Sequence, residues 1–165
     1  MMRWLEMLAA LLMGLLAAQL FSPSAASAQV DDSYGRIQLK GEALREAYLG
    51  QTHDLVYQNP QGILGKYRHL ETHNPDGSTK YVEGGQTFVG QWWLKGDTGQ
   101  EDTICFRYPT VDPERQHCFI VFMEGRCIYS YSVRFIFGGK PIDEDRWNSK
   151  GSNIKDGDAC HDRIS

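Results

Sequence analysis

The sequence predicts a mainly β protein: one small antiparallel meander of about eight strands, with one N-terminal helix and an irregular C-terminal tail. Three observations predict it. Short apolar stretches recur from residue 53 onward, and turn sequences such as Asn74-Pro75-Asp76-Gly77 and Glu124-Gly125 separate them. No connection between these stretches is long enough for a crossover helix, so neighbouring strands run antiparallel. The stretch from residue 138 to the end is polar and rich in Gly, Asp and Asn, which is typical of irregular structure.

The strands are expected at residues 53–58, 65–73, 78–83, 86–95, 102–108, 117–123, 126–132 and 133–137. Such a meander closes into a barrel or splits into a sandwich. A helix of about three turns is expected before them, because apolar residues recur there at helical spacing. Gly50 is placed to end this helix, and a helix so short must dock on another element. The apolar positions are Leu39, Ala43, Leu44, Ala47 and Tyr48.

The first 28 residues have the pattern of a cleaved export signal. Arg3 precedes an apolar run from Met7 to Phe21, and Ala26-Ser27-Ala28 offers the small residues that signal peptidase requires. An uncleaved anchor is the alternative, but the run is shorter than the roughly 20 residues that span a bilayer. We therefore expect a soluble, periplasmic or secreted protein. The expected organisation is a signal peptide at 1–28, a flexible N-terminus at 29–38, the helix and β domain at 39–139, and an irregular tail at 140–165.

The cysteines predict two disulfide bonds, because an exported chain with an even number of cysteines more often pairs them than uses them as thiols. If Cys105 faces Cys118, then Ile104 faces Phe119 on the opposite side of the sheet. A turn at Glu124-Gly125 that pairs Met123 with Arg126 then puts Cys127 on the same face as Cys118. That face is too apolar to be bare, so another segment is expected to cover it: the tail that carries Cys160 or, as the alternative, the helix. The predicted bonds are Cys105–Cys118 and Cys127–Cys160.

No motif for catalysis, a metal or a cofactor is present. His69 and His73 fall on one face of a predicted strand but about 13 Å apart at 3.3 Å per residue, too far to share an ion. The dipeptides His117-Cys118 and Cys160-His161 offer one ligand to each face, and the acidic groups at 143–145 and 156–158 lack the pattern of a calcium loop. Dispersed carboxylates remain an alternative, although Glu71, Glu83 and Glu101 are expected in exposed strands or turns.

Aromatic residues are the main candidates for a binding surface. Trp92 and Trp93 are adjacent on a predicted strand, so one faces the core and the other packs under the helix or lies at a binding surface. With Tyr108 they form the candidate ligand or partner surface. Seven other aromatic side chains are expected to fill the interior or line a pocket for an apolar or sugar-like ligand. They are Tyr57, Tyr67, Tyr81, Phe88, Phe106, Phe119 and Phe135.

Several short motifs together resemble an uncharacterised family of small exported proteobacterial domains. They are Leu39-x-Gly41-x-x-Leu44, Tyr48-Leu49-Gly50-x-Thr52, Gly90-x-Trp92 and Cys105-Phe106-Arg107-Tyr108-Pro109 ahead of Cys118, and they span roughly Leu39 to Tyr131. The resemblance implies a short helix followed by a lipocalin-like, up-and-down antiparallel barrel in the periplasm. It implies no established activity.

These observations favour a non-enzymatic binding module whose ligand is a small molecule or an envelope component. The alternative is a protein-interaction module, such as an inhibitor or accessory factor of a cell-envelope enzyme. A third class, an enzyme with dispersed catalytic residues, is the least favoured, and no cofactor is expected. The formal net charge of −4 argues against nucleic acid as a partner.

Overall fold

The computed structural model describes residues 35–58, 64–96, 102–110, 113, 115–143, 145–157 and 160, with the backbone alone described at 64–67. The predicted signal peptide at 1–28 lies outside these residues. The elements are β1 Ile37–Gln38, α1 Gly41–Tyr48, β2 Thr52–Gln58, β3 Leu64–His73, β4 Ser78–Glu83, β5 Gln86–Lys95, β6 Thr103–Arg107, β7 His117–Glu124, β8 Cys127–Ser132, β9 Ile136–Phe137, β10 Lys140–Pro141 and β11 Ser149–Asn153, with 3-10 turns at Val133–Phe135 and Ile154–Asp156.

Eight antiparallel strands close into a barrel, which confirms the predicted fold class. Strands β2 to β8 form a meander in which each strand pairs with its neighbour in sequence. Strand β11 then lies between β8 and β2 and closes the barrel. Short turns connect most of the strands, which is why an antiparallel meander forms.

The closing strand differs from the prediction. Residues 133–137 were expected as the eighth strand, but they form a 3-10 turn and the short β9, which pairs only with β10. The barrel is instead completed by β11, inside the segment predicted to be an irregular tail. The sequence Ser149-Lys150-Gly151-Ser152-Asn153 has no apolar alternation, because its inner face meets a cavity and Gly151 lies tightly against the backbone of Asp54.

The N-terminal segment also differs in part. The predicted flexible stretch 29–38 lies mostly outside the described residues, but Ile37 and Gln38 pair with Met123 and Phe122 of β7. The helix has about two turns rather than three, and Gly50 follows it with a positive φ of 71°, as its expected role requires. Leu44 and Tyr48 are buried and pack with the inward residues of the barrel, so α1 closes one end of it.

The register between β6 and β7 is as predicted: Cys105 lies opposite Cys118 and Ile104 opposite Phe119. The next hairpin is shifted by two residues, since Gly125 and Arg126 form its turn and Glu124 lies opposite Cys127. A shift of two preserves the face of every side chain. The predicted core face is therefore confirmed, with Ile104, Phe106, Val121, Phe119 and Met123 in one apolar cluster.

Both predicted disulfides are present, Cys105–Cys118 and Cys127–Cys160. They lie on the outer face of β6 to β8, where Phe122, Tyr129 and Tyr131 form a second buried cluster. Ile136 and Trp147, from the segment between β8 and β11, pack against this cluster, so the tail covers the apolar outer face as expected. In the part of the chain that the structure describes, no helix is long and apolar enough to cross a membrane.

Candidate functional site

The barrel holds a cavity of about 320 Å³, and Tyr48 at the end of α1 forms part of its wall. Ligand pockets range from about 300 to 1,000 Å³, so this one is large enough for a small molecule only. Its wall is mainly apolar. The aromatic and aliphatic lining residues are Tyr48, Leu55, Tyr57, Tyr81, Phe106, Tyr108 and Phe119, and the polar ones are Gln58, Glu71, His117, Ser130, Asn148 and Ser149.

Glu71 is the acidic residue in the described part of the cavity wall. It points inward from β3 and is 4% exposed. The Tyr57 hydroxyl donates a hydrogen bond to Glu71 Oε2 at 3.3 Å, and the Tyr108 hydroxyl donates one to Oε1. Burial raises the pKa of Glu71 to about 7, although these two hydrogen bonds partly oppose the shift. The carboxyl group therefore changes its charge near neutral pH.

Three tyrosine rings stand around this carboxyl group. The Tyr57 and Tyr81 rings are 6.2 Å apart at right angles, and the Tyr81 and Tyr108 rings are 5.7 Å apart. Burial raises the pKa values of Tyr57 and Tyr108, so both phenols stay protonated and remain donors. The Tyr81 hydroxyl donates to Glu83, which holds its ring at the cavity wall.

Gly90 positions Tyr108. A β carbon at Gly90 would lie 2.6 Å from the Tyr108 ring and 2.5 Å from the Arg107 carbonyl oxygen. No side chain larger than hydrogen fits there, so the glycine lets the tyrosine ring fold across β5 and reach Glu71. The first position of the Gly90-Gln91-Trp92 motif is thus a glycine because a side chain there would clash with Tyr108 and the Arg107 backbone.

Two neutral histidines lie between Glu71 and the helix. The His53 and His73 rings are 5.2 Å apart, and each is 4.9 Å from the Tyr48 ring. Burial lowers the pKa of His53 to about 4 and that of His73 to about 3. His73 Nε2 is 3.9 Å from Glu71 Oε2. Among the described residues, no group of three His, Cys, Asp or Glu side chains is arranged to hold a metal ion.

The structure separates Trp93 from the other two residues of the predicted surface. Tyr108 lines the cavity. Trp92 is buried on the inner face of β5, where its Nε1 donates a hydrogen bond to the Asn74 carbonyl oxygen. Trp92 and Tyr108 belong to one interior cluster, whereas Trp93 is half-buried on the opposite face, beside Cys105.

Glu71 was expected in an exposed strand or turn, and that prediction is wrong. Its neighbours show the signal that could have revealed it: His69, Glu71 and His73 alternate on one face of β3, and all three are buried. When alternate residues of a strand are polar and the neighbouring strands are rich in aromatic residues, the polar side chains can line the interior of a barrel as well as a solvent-exposed face. Glu83 is half-buried on β4, and Glu101 lies outside the described residues.

Comparison with family models, with curated proteins and with solved structures finds no match for this chain. The resemblance to small exported proteobacterial domains therefore stays a prediction.

Proposed function

We propose that the protein is a non-enzymatic binding module that holds one small, mainly apolar molecule inside its barrel. The observation that carries this proposal is the mainly aromatic cavity, whose wall contains the buried Glu71 carboxyl group with its two tyrosine hydroxyl partners. Binding sites for small molecules have this composition, because apolar walls supply affinity and a few placed polar groups supply orientation. A small barrel without such a role would fill its interior with side chains.

We place this function in the periplasm, after removal of a leader that ends near Ala28. The two disulfide bonds support this location, since such bonds persist in oxidising compartments. The mature protein should begin at Gln29 and be four hydrogens lighter than its reduced form. An intact mass of the protein recovered from the periplasm measures both properties.

Native mass spectrometry of the same sample tests the binding proposal. We expect a retained extra mass in the wild type and its loss in Ser149→Phe, because Ser149 lines the cavity and a phenyl ring there would occupy it. The matched control is Thr87→Phe, which adds the same ring to an exposed position on β5 and should keep the extra mass. A wild type without extra mass, or the same retained extra mass in both variants, contradicts the proposal.

A protein-interaction module is the second candidate function, and the β9–β10 hairpin favours it. Cross-strand pairing places Phe137 beside Lys140 and Ile136 beside Pro141. Ile136 and Pro141 face the barrel, while Phe137 is 83% exposed and Ile142 is 65% exposed. Exposed apolar groups of this size are typical of contact surfaces. If Phe137→Ser abolishes co-purification of an envelope protein that the wild type retains, this second function is supported.

A further inference from the structure

We propose that the molecule held in the barrel is a small organic cation, an amine or a quaternary ammonium, whose positive charge lies against the Glu71 carboxylate and the tyrosine rings around it. This inference rests on the proposed binding function and names the chemical class of its ligand. It follows from the charge, the ring arrangement and the size of the cavity.

The charge of the cavity lining is the first argument. Among the residues whose side chains the structure describes, Glu71 is the one acidic residue that lines the cavity, and no lysine or arginine lines it. The groups that face the Glu71 carboxyl group are Tyr57, Tyr108 and the neutral His73, and none of them supplies a positive charge. A buried carboxylate without a countercharge is unfavourable, and a bound cation would remove that penalty.

The ring arrangement is the second argument. Tyr57, Tyr81 and Tyr108 stand next to one another with ring centroids about 6 Å apart, and Glu71 contacts two of the three. The faces of aromatic rings are negative, and cages of such rings bind quaternary ammonium groups. A carboxylate among three rings therefore offers both attractive partners of an ammonium group in one place.

The size and surroundings of the cavity are the third argument, because they limit the chemical class of the ligand. A volume of about 320 Å³ admits a single small molecule rather than a lipid with long chains. Arg115 and Arg134 border a separate groove that shares His117, Phe119 and Asn148 with the cavity, but neither arginine lines the cavity itself. An anionic ligand that entered the barrel would meet Glu71, whereas an ammonium would be attracted to it.

A matched pair of probes tests the inference. Benzyltrimethylammonium and neopentylbenzene have the same shape, and only the central atom differs, nitrogen with a positive charge against neutral carbon. Each is titrated into the oxidised mature protein at pH 8 and at pH 5.5, and binding is followed by ¹H–¹⁵N NMR, which also locates it. We expect tighter binding of the ammonium at pH 8, with shifts concentrated on β2, β3, β4 and the residues around Tyr108.

Lowering the pH should weaken only the charged probe. With a Glu71 pKa of about 7, the ionised fraction falls from about nine-tenths at pH 8 to about 3% at pH 5.5, so the ammonium should lose up to about thirtyfold in affinity, the full factor applying if only the ionised form binds it. His53 and His73 remain neutral over this range. His117 also lines the cavity, and the same pH ratio should persist in His117→Gln. If the ratio disappears in that variant, the dependence belongs to His117 and the inference is overturned.

Glu71→Gln should reduce ammonium affinity at pH 8 at least tenfold and leave neopentylbenzene within about twofold. Glu46→Gln, on the exposed face of α1, removes one negative charge outside the cavity and should change neither. The wild-type pH ratio decides the question even if the Glu71 variant does not fold.

The other outcomes overturn the inference in distinguishable ways. Equal binding of the two probes, or preference for the neutral one, leaves a binding module without charge selectivity. Preference for 3-phenylpropionate over both probes would place the binding determinant at the arginines of the neighbouring groove. If no probe shifts the residues of the cavity wall, the proposed binding function fails as well.

Discussion

Replacing Glu71 by glutamine should remove one source of pH dependence from the stability of the protein. The native pKa of this carboxyl group, about 7, lies above the ordinary 4.5 that it has in the unfolded chain. The native state therefore holds its proton more tightly, and the resulting stability is fully present below pH 4.5. It is lost as the pH rises through 7. Glutamine has no proton to lose, so the variant escapes this loss.

The size of the effect follows from the interval between the two pKa values. Each pKa unit corresponds to about 1.4 kcal/mol, and the interval runs from 4.5 to about 7. The stability of Glu71→Gln relative to the wild type should thus increase by about 3 kcal/mol between pH 4 and pH 8. The amide can still accept from one tyrosine hydroxyl and donate to the other, so the hydrogen-bonded cluster has partners in the variant.

Urea unfolding of the oxidised proteins, followed by tryptophan fluorescence at several pH values, measures this difference. His53 and His73 have lowered native pKa values, so their stabilisation is present above pH 6.5 and is lost as the pH falls towards 4 and 3. Both proteins share that acid loss, and it cancels in the difference. Glu46→Gln should run parallel to the wild type. A difference in stability between Glu71→Gln and the wild type that does not change with pH would refute the raised pKa of the Glu71 carboxyl group.

Three further changes test the packing around the cavity. Gly90→Ala should cost about 1–3 kcal/mol and displace Tyr108, which a changed tyrosine side-chain NMR spectrum would show; unaltered stability would contradict the steric reason given for the glycine. Leu44→Ala should cost about 2–5 kcal/mol in urea unfolding, because Leu44 is fully buried on the inward face of α1, and a cost below 1 kcal/mol would mean that the helix is not anchored there. Removing the Cys127–Cys160 bond with a double alanine variant should cost about 4 kcal/mol for its separation of 33 residues, and an unchanged urea midpoint would show that the tail docks without it.

Much of the barrel could be predicted from the sequence because its turns are local signals. Asn74 to Gly77 and Gly84-Gly85 adopt the positive-φ turns that only a few residue types favour, and the strand between them follows the expected bounds. The disulfide pairing was predictable for a similar reason. Once Cys105 and Cys118 were placed opposite each other, the period of two decided which face every later residue of the sheet occupied.

The closing strand could not be predicted because its sequence lacks the signal on which such predictions depend. β11 is polar, and its pairing partners β2 and β8 lie far away along the chain. The short β9–β10 hairpin offered a competing apolar segment at the end of the meander. Its apolar residues cover the outer cluster rather than the barrel interior, and sequence periodicity alone does not distinguish these two kinds of burial.

The candidate site was hidden from the sequence for the same physical reason. A polar residue on one face of a strand usually indicates that this face is exposed to solvent. Glu71 fits that pattern although it lies inside the barrel. Only the closed barrel shows that the face of β3 with His69, Glu71 and His73 points inward. The contact of Gly90 with Tyr108 could not be predicted either, because it depends on how the end of β6 lies against β5.

The site and the tail depend on each other. Ser149 of β11 lines the cavity, and Gly151 of the same strand packs against the Asp54 backbone on β2. Without β11 the barrel would be open between β2 and β8, and Glu71 and its tyrosines would be exposed to water. Water would then solvate the carboxylate, and its pKa would return towards 4.5. The Cys127–Cys160 bond ties the segment just after β11 to the start of β8. The Cys127–Cys160 bond therefore supports the raised pKa of the Glu71 carboxyl group inside the barrel, which makes the proposed ligand site a property of the oxidised protein.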